Sequence, residues 1–251
     1  MVDNQSTDGS ANLVASTFPE VNLVRSKINL GYAGGNNLAF SKAQGDLLLT
    51  LNPDTVLREG TLDLAVQELL AHEGAGALGA KLVGVDGKTQ ASVRGFPTIT
   101  GIIGNILGLD KALPTSGLAS YRLPAFDYDQ SQWAPQPMGT FLLFRKAALE
   151  SVGSVEAPFD ESFPIFFNEV DLLKRLLDKG WKCWYAANVV VEHVGGVSTR
   201  QVKKAMIWES HRSLLRYLRK HEPSFILPLF GVIIWLGALV RAKGVSDGFR
   251  A

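Results

Sequence analysis

Short apolar runs alternate with amphipathic stretches along most of this chain. Residues 47–51 (LLLTL) form a continuous apolar run, as a strand covered on both faces requires. The run stops at Asn52-Pro53-Asp54-Thr55. Leu62, Leu64, Ala65, Leu69 and Leu70 then recur at helical spacing, which predicts a helix over 60–72. Strands are predicted at 21–25, 77–83 and 139–145, with helices at 36–44 and 146–152. Residues 159–181 read as a loop entering a helix, and 183–192 as a last strand that ends at His193. Residues 1–10 are turn chemistry, and Asp86-Gly87 signals a hairpin. This order predicts an α/β fold, a mostly parallel sheet flanked by helices. Segment 95–135 has weak periodicity and several Pro and Gly residues, and is expected to be a long excursion lining an acceptor site.

The C-terminal part has a different pattern, which places a domain at 1–200 and an appendage at 201–251. Residues 202–221 predict a basic amphipathic helix, with Arg212, Arg216, Arg219 and Lys220 opposite Leu214, Leu215 and Leu218. Residues 225–240 carry no charge, but the run falls short of the roughly 20 residues that span a bilayer, and Pro228 interrupts it.

Composition narrows the classes. Lys+Arg 25 against Asp+Glu 24 gives a net charge of +1 and no reason to expect a nucleic-acid partner. Cys183 is the only cysteine, which excludes a disulfide framework and a multi-cysteine zinc site and favours a reducing, cytoplasmic setting. The opening MVDNQSTDGS has no apolar core of a signal peptide.

Four places carry candidate chemistry. Asp54 stands just past the end of a buried strand, where open α/β sheets bind ligands, and a carboxylate there can hold a hard cation bridging two phosphates. The alternative is a plain turn. Glu169 falls in the first turn of a helix after an apolar run, where a carboxylate can act as a general base. Asn168 suits the N-cap of that helix, with Asp171 as a capping-box partner or an i,i+4 partner of Arg175. His193, followed by Gly195-Gly196, can join a metal shell or touch a phosphate, and can equally be structural. Gly31-Tyr32-Ala33-Gly34-Gly35-Asn36-Asn37 can bring backbone N–H groups near a nucleotide, although it is not a dinucleotide fingerprint.

Taken in order, Val2-Asp3-Asn4-Gln5-Ser6-Thr7-Asp8-Gly9-Ser10, Asn29 to Asn37, Leu51-Asn52-Pro53-Asp54-Thr55, Phe159-Asp160-Glu161, Phe166 to Leu172 and His193 to Gly196 resemble family 2 glycosyltransferases, especially the bacterial rhamnosyltransferase-like branch. The resemblance implies a GT-A fold, a nucleotide-diphosphate sugar donor, Mg2+ or Mn2+, and inversion at the anomeric carbon. It places Asp3 and Asn4 against the nucleotide, Asn36 and Asn37 along the nucleotide side of the pocket, and Asp54 and His193 at the metal. Glu169 takes the base position, where the family usually has Asp, so Asp171 stays open as the alternative. The family also begins with a strand and a helix ahead of the Val2-Asp3-Asn4 segment, and this sequence is read as lacking them. A saccharide or lipid-linked acceptor is expected, with 202–241 docked on the inner face of the plasma membrane. Packing of 225–240 on the domain or on an identical subunit is the competing expectation. Two rival functions remain at this point: a non-catalytic nucleotide-sugar-binding remnant and a membrane-peripheral interaction protein.

Overall fold

The computed structural model describes residues 1–194 and 203–243. In chain order its elements are β1 (Val2–Asp3), α1 (Ser10–Thr17), β2 (Val24–Arg25), α2 (Gly31–Phe40), β3 (Leu47–Leu51), β4 (Thr55–Leu57), α3 (Thr61–Ala71), β5 (Ala75–Val83) and β6 (Val93–Arg94). Then come α4 (Ile99–Ile106), α5 (Leu109–Ala112), β7 (Gln132–Ala134), β8 (Gln136–Pro137), β9 (Phe141–Arg145), α6 (Lys146–Ser151), α7 (Asn168–Asp178), β10 (Lys182–His193), α8 (Lys203–His221) and α9 (Leu227–Lys243).

The central sheet runs β3-β9-β5-β10-β4, with β7 also on β10. It is mixed, not mostly parallel. β9 lies antiparallel between β3 and β5, and β10 is parallel to β5 but antiparallel to β4 and β7. The cause is the 95–135 excursion, which returns the chain to the sheet in the reversed direction as β9. Apolar runs report that a strand is covered, not which way it points. β1 and β2 pair parallel as a separate two-stranded sheet.

Alternation along the strands divides the core into two layers. Leu48, Ala77, Leu142 and Phe144 face α2, α6 and α7, meeting Phe40, Leu149, Leu172 and Leu176. Leu78, Leu82, Phe141 and Leu143 face α3, meeting Ala65 and Leu69. The strand at 47–51 and the 61–71 helix lie where their patterns place them. The hairpin at Asp86-Gly87 is also present, with Gly87 at φ 74 and a bridge between Val83 and Thr89. Helix α1 has no counterpart among the sequence expectations.

The C-terminal helices do not stand apart. Leu215, Tyr217 and Leu218 of α8 and Leu227, Phe230 and Ile234 of α9 share a third core cluster with Ile102, Phe163 and Val170. The inner face of 225–240 thus packs on the same body as the sheet. Gly195, Gly196 and the boundary placed at 200 lie outside the described residues.

Candidate active site

The chain turns sharply after β3, and β4 runs back against the end of β10, pairing Thr55 with His193. This register brings Asp54 to His193: His193 Nε2 lies 3.6 Å from Asp54 Oδ1, and Val194 N donates to the Asp54 carbonyl at 3.0 Å. His193 is buried. Gln90 grips it twice, donating from Nε2 to the His193 carbonyl at 2.8 Å and placing Oε1 2.9 Å from Nδ1. Since Gln90 Nε2 is the donor in the first bond, Oε1 must accept in the second, which puts the imidazole proton on Nδ1. In the neutral ring the lone pair on Nε2 faces the Asp54 carboxylate, whereas the imidazolium would pair with it. In that neutral state the two acceptors, 3.6 Å apart, leave room for a positive charge between them. A divalent cation suits that place, and a carboxylate plus an orientated neutral imidazole is a donor set Mn2+ or Mg2+ accepts when phosphate oxygens and water complete the shell. Among the described residues no group of three or more His, Cys, Asp or Glu is arranged to hold a metal ion.

Glu169 approaches from the other side. Asn52 N donates to the Thr140 carbonyl at 3.0 Å, tying the Asp54 turn to the segment between β8 and β9. A Cβ on Gly139 would sit 3.4 Å from Glu169 Cγ and 3.1 Å from the Tyr32 hydroxyl, so the glycine lets both side chains close on this segment. The Tyr32 hydroxyl donates to the Gly139 carbonyl at 2.7 Å. Burial pushes the half-buried Glu169 carboxyl up to about 7, against the opposing pull of the backbone N–H groups of Glu169, Gly139 and Val170. Burial raises the Tyr32 phenol as well, with Thr50 opposing and the Glu169 charge adding to the rise. Glu169 thus packs against Gly139, and the turn that carries Asp54 bonds to the adjacent Thr140.

Asp171 is committed elsewhere. Its fully buried carboxylate accepts from Arg175 Nε at 2.8 Å and meets Lys220 Nζ and His221 Nε2 at 2.7 Å each. Burial pushes the carboxyl up, but the His221 bond, the Arg175 charge and the Lys220 bond outweigh it and hold it at about 2. A carboxylate so bound is a poor proton acceptor. The expected pair with Arg175 is present, whereas the expected capping box is not. Phe167, at φ 67, occupies the N-cap, and Asn168 is the first helical residue, its Oδ1 accepting from Glu169 N at 2.7 Å. The ion-pair partners from α8 turn the Asp171 side chain away from the helix start.

The asparagines expected at the nucleotide also form bonds within the scaffold. Asn37 is buried, and its Nδ2 donates to the Phe159 carbonyl and Glu161 Oε1 while its Oδ1 accepts from Phe159 N. Asn36 Nδ2 bonds the Tyr32 carbonyl within α2. Asn4 holds the 29–31 loop, donating to Asn29 Oδ1 and the Gly31 carbonyl and accepting from Leu30 N. Asp3, at the end of β1, is buried and accepts from Ser6 N at 3.3 Å. The glycines at the start of α2 answer to a close backbone contact: Gly31 has φ 68, and a Cβ there would lie 2.4 Å from the Pro164 carbonyl oxygen, which accepts from Tyr32 N at 2.6 Å. Sequence reasoning missed Gln90, Tyr32 and Gly139. Only Tyr32 lay inside a motif, and nothing near Gln90 signals a contact with His193, 103 positions away.

Known proteins share this fold. The family described as glycosyl transferase family 2 matches residues 1–153. The N-acetylglucosaminyl-diphospho-decaprenol L-rhamnosyltransferase of Mycobacterium tuberculosis is 26% identical over 245 residues, covering 91% of this chain and 77% of that one. Among solved structures, a mannosyltransferase of Pyrobaculum calidifontis in complex with GDP-Man and Mn2+ superposes with a TM-score of 0.55 at 18% identity, covering 98% of this chain and 65% of that one. GalNAc-T7 with UDP, GalNAc and Mn2+ gives a TM-score of 0.58 at 10% identity, covering 99% of this chain and 45% of that one. A mixed sheet with helices on both faces matches the GT-A fold of these neighbours. The chain belongs to glycosyl transferase family 2.

Proposed function

We propose that this glycosyltransferase moves a sugar, a rhamnosyl group by analogy with the mycobacterial relative, from a nucleotide-diphosphate donor to a hydroxyl of a lipid-linked saccharide, with inversion at the anomeric carbon. The observation that carries the reading is the facing pair of acceptors, Asp54 Oδ1 and His193 Nε2 at 3.6 Å, with Glu169 brought in through Gly139-Thr140. Asp54 and His193 would hold Mn2+ or Mg2+, which when bound supplies Lewis-acid neutralisation of the departing diphosphate. Gln90 keeps the His193 proton on Nδ1 and the lone pair of Nε2 toward Asp54. Glu169 takes the proton of the attacking hydroxyl. A carboxylate with its pKa near 7 combines a useful charged fraction with basicity well above that of an ordinary glutamate. Tyr32 holds the Gly139 carbonyl, fixing the strip of backbone that Glu169 and the Asp54 turn share. The names and bound ligands of the relatives support the donor class, the cation and the lipid-linked acceptor.

The test is a panel of nucleotide sugars with and without Mn2+ or Mg2+, run on the natural protein and on Asp54→Asn. Metal-dependent turnover should fall by roughly a hundredfold or more in the variant, the scale of losing a main electrostatic contributor. Turnover near the natural rate would remove Asp54 from the cation site.

A further inference from the structure

Helix α9 is apolar on all sides, a pattern that normally marks a buried helix. Here only one side is covered. Phe230, Ile234, Ala238 and Ala242 are buried, while Leu229 (71% exposed), Val232, Ile233, Leu236 (56% exposed), Leu239 and Val240 form a continuous outer stripe, prolonged at its start by Phe225. The helix contains no acidic residue. Cations flank it instead: Arg219 on the rim of a groove of about 440 Å³ between α8 and α9, and Arg241 and Lys243 in its last turn. All three are exposed, and none forms an ion pair among the described residues. A second copy of the chain would bring a second set of unpaired cations to the same face. A surface of anionic phospholipid supplies both an apolar layer and the opposite charge. The helix is too short to cross a bilayer: 17 residues extend about 25 Å against a hydrocarbon core of about 30 Å, and no helix among the described residues is long and apolar enough to span.

The stripe is also close to the chemistry. The inner face of α9 shares its core cluster with Val170 and Phe167, which bracket Glu169. At the other end, burial raises the half-buried Tyr121 phenol, with the Arg94, Arg122 and Arg241 charges opposing and the Glu169 charge adding to the rise.

We propose that the outer face of α9 docks on an anionic membrane surface, its apolar stripe in the acyl boundary and Arg219, Arg241 and Lys243 on lipid phosphates. The protein lies on the bilayer with its acceptor side toward it. The inference builds on the proposed lipid-linked acceptor and names the surface on which that acceptor is met.

Co-sedimentation of the full chain with vesicles of phosphatidylglycerol and phosphatidylcholine, and with phosphatidylcholine alone, tests it. Binding to the anionic vesicles should be strong and salt-sensitive, and weaker by about tenfold or more without the anionic lipid. The double variant Leu229→Asp/Leu236→Asp should lose roughly a hundredfold in binding while keeping the natural melting temperature. In the unaltered chain, phospholipids brominated on the acyl chain should quench tryptophan fluorescence through Trp235, which keeps the question answerable if the double variant misfolds. Protein left in the supernatant with every vesicle, absence of quenching, or a dimer in solution that the same substitutions dissociate would each overturn the proposal. Asp54→Asn should bind vesicles as the natural protein does, so a failure of the catalytic reading leaves a separate signature.

Discussion

Replacing Glu169 with glutamine separates the electrostatic cost of this carboxylate from its use. Its pKa is raised from 4.5 to about 7, chiefly by burial, so the folded state resists ionisation that the unfolded chain accepts freely. The sign follows. The stability associated with the protonated form is complete below 4.5 and is lost as the pH rises through about 7. At about 1.4 kcal/mol per pH unit of displacement, the folded protein above neutrality carries a penalty on the order of 3 kcal/mol. Glu169→Gln keeps the shape and removes the charge. Its melting temperature should match the natural protein in acid and exceed it increasingly between about pH 5 and pH 8, a range set by that displacement. Turnover should fall in the opposite sense, by about a hundredfold to ten-thousandfold, with donor affinity little changed. The natural turnover should rise with pH through about 7, where the base ionises. The assays are melting curves across pH for both proteins and turnover over the same series. A stability difference independent of pH would refute the burial argument, and a variant as active as the natural protein would refute the base assignment.

The other expectations are of the same kind. Gln90→Leu removes the acceptor that fixes the His193 tautomer and should weaken divalent-metal activation by about 10- to 100-fold with little change in maximal rate, read from metal titrations of turnover. Asp171→Asn leaves Arg175, Lys220 and His221 without their shared anion and should cost about 3–5 kcal/mol in denaturant unfolding, with turnover per folded molecule largely kept; loss of turnover at unchanged stability would restore Asp171 as base. Because that carboxyl is held at about 2 from an ordinary 3.8, its stabilisation is present at neutral pH and is lost as the pH falls through that interval, so the variant and natural proteins should converge in strong acid.

Local chemistry alone determined much of this protein. The apolar run at 47–51, the helical spacing over 61–71 and the Asp-Gly hairpin each depend on neighbours a few positions apart, and each formed where that spacing put it. The Asp171–Arg175 pair is legible for the same reason, since one helical turn sets its distance. Asp54 and His193 were legible as strand ends, and the family resemblance set both at one site, but local pattern alone could not join them, because their meeting depends on the antiparallel register of Thr55 on His193 across 138 positions. The direction of β9, the Gln90 grip on His193, the diversion of Asp171 to Lys220 and His221, and the use of Asn37 as a brace on Phe159 were all decided by contacts between distant segments. A side chain's type states which bonds it can form. Which partner takes them, and so whether a carboxylate is left to accept a proton or is neutralised by cations, follows only from the packing that brings the segments together.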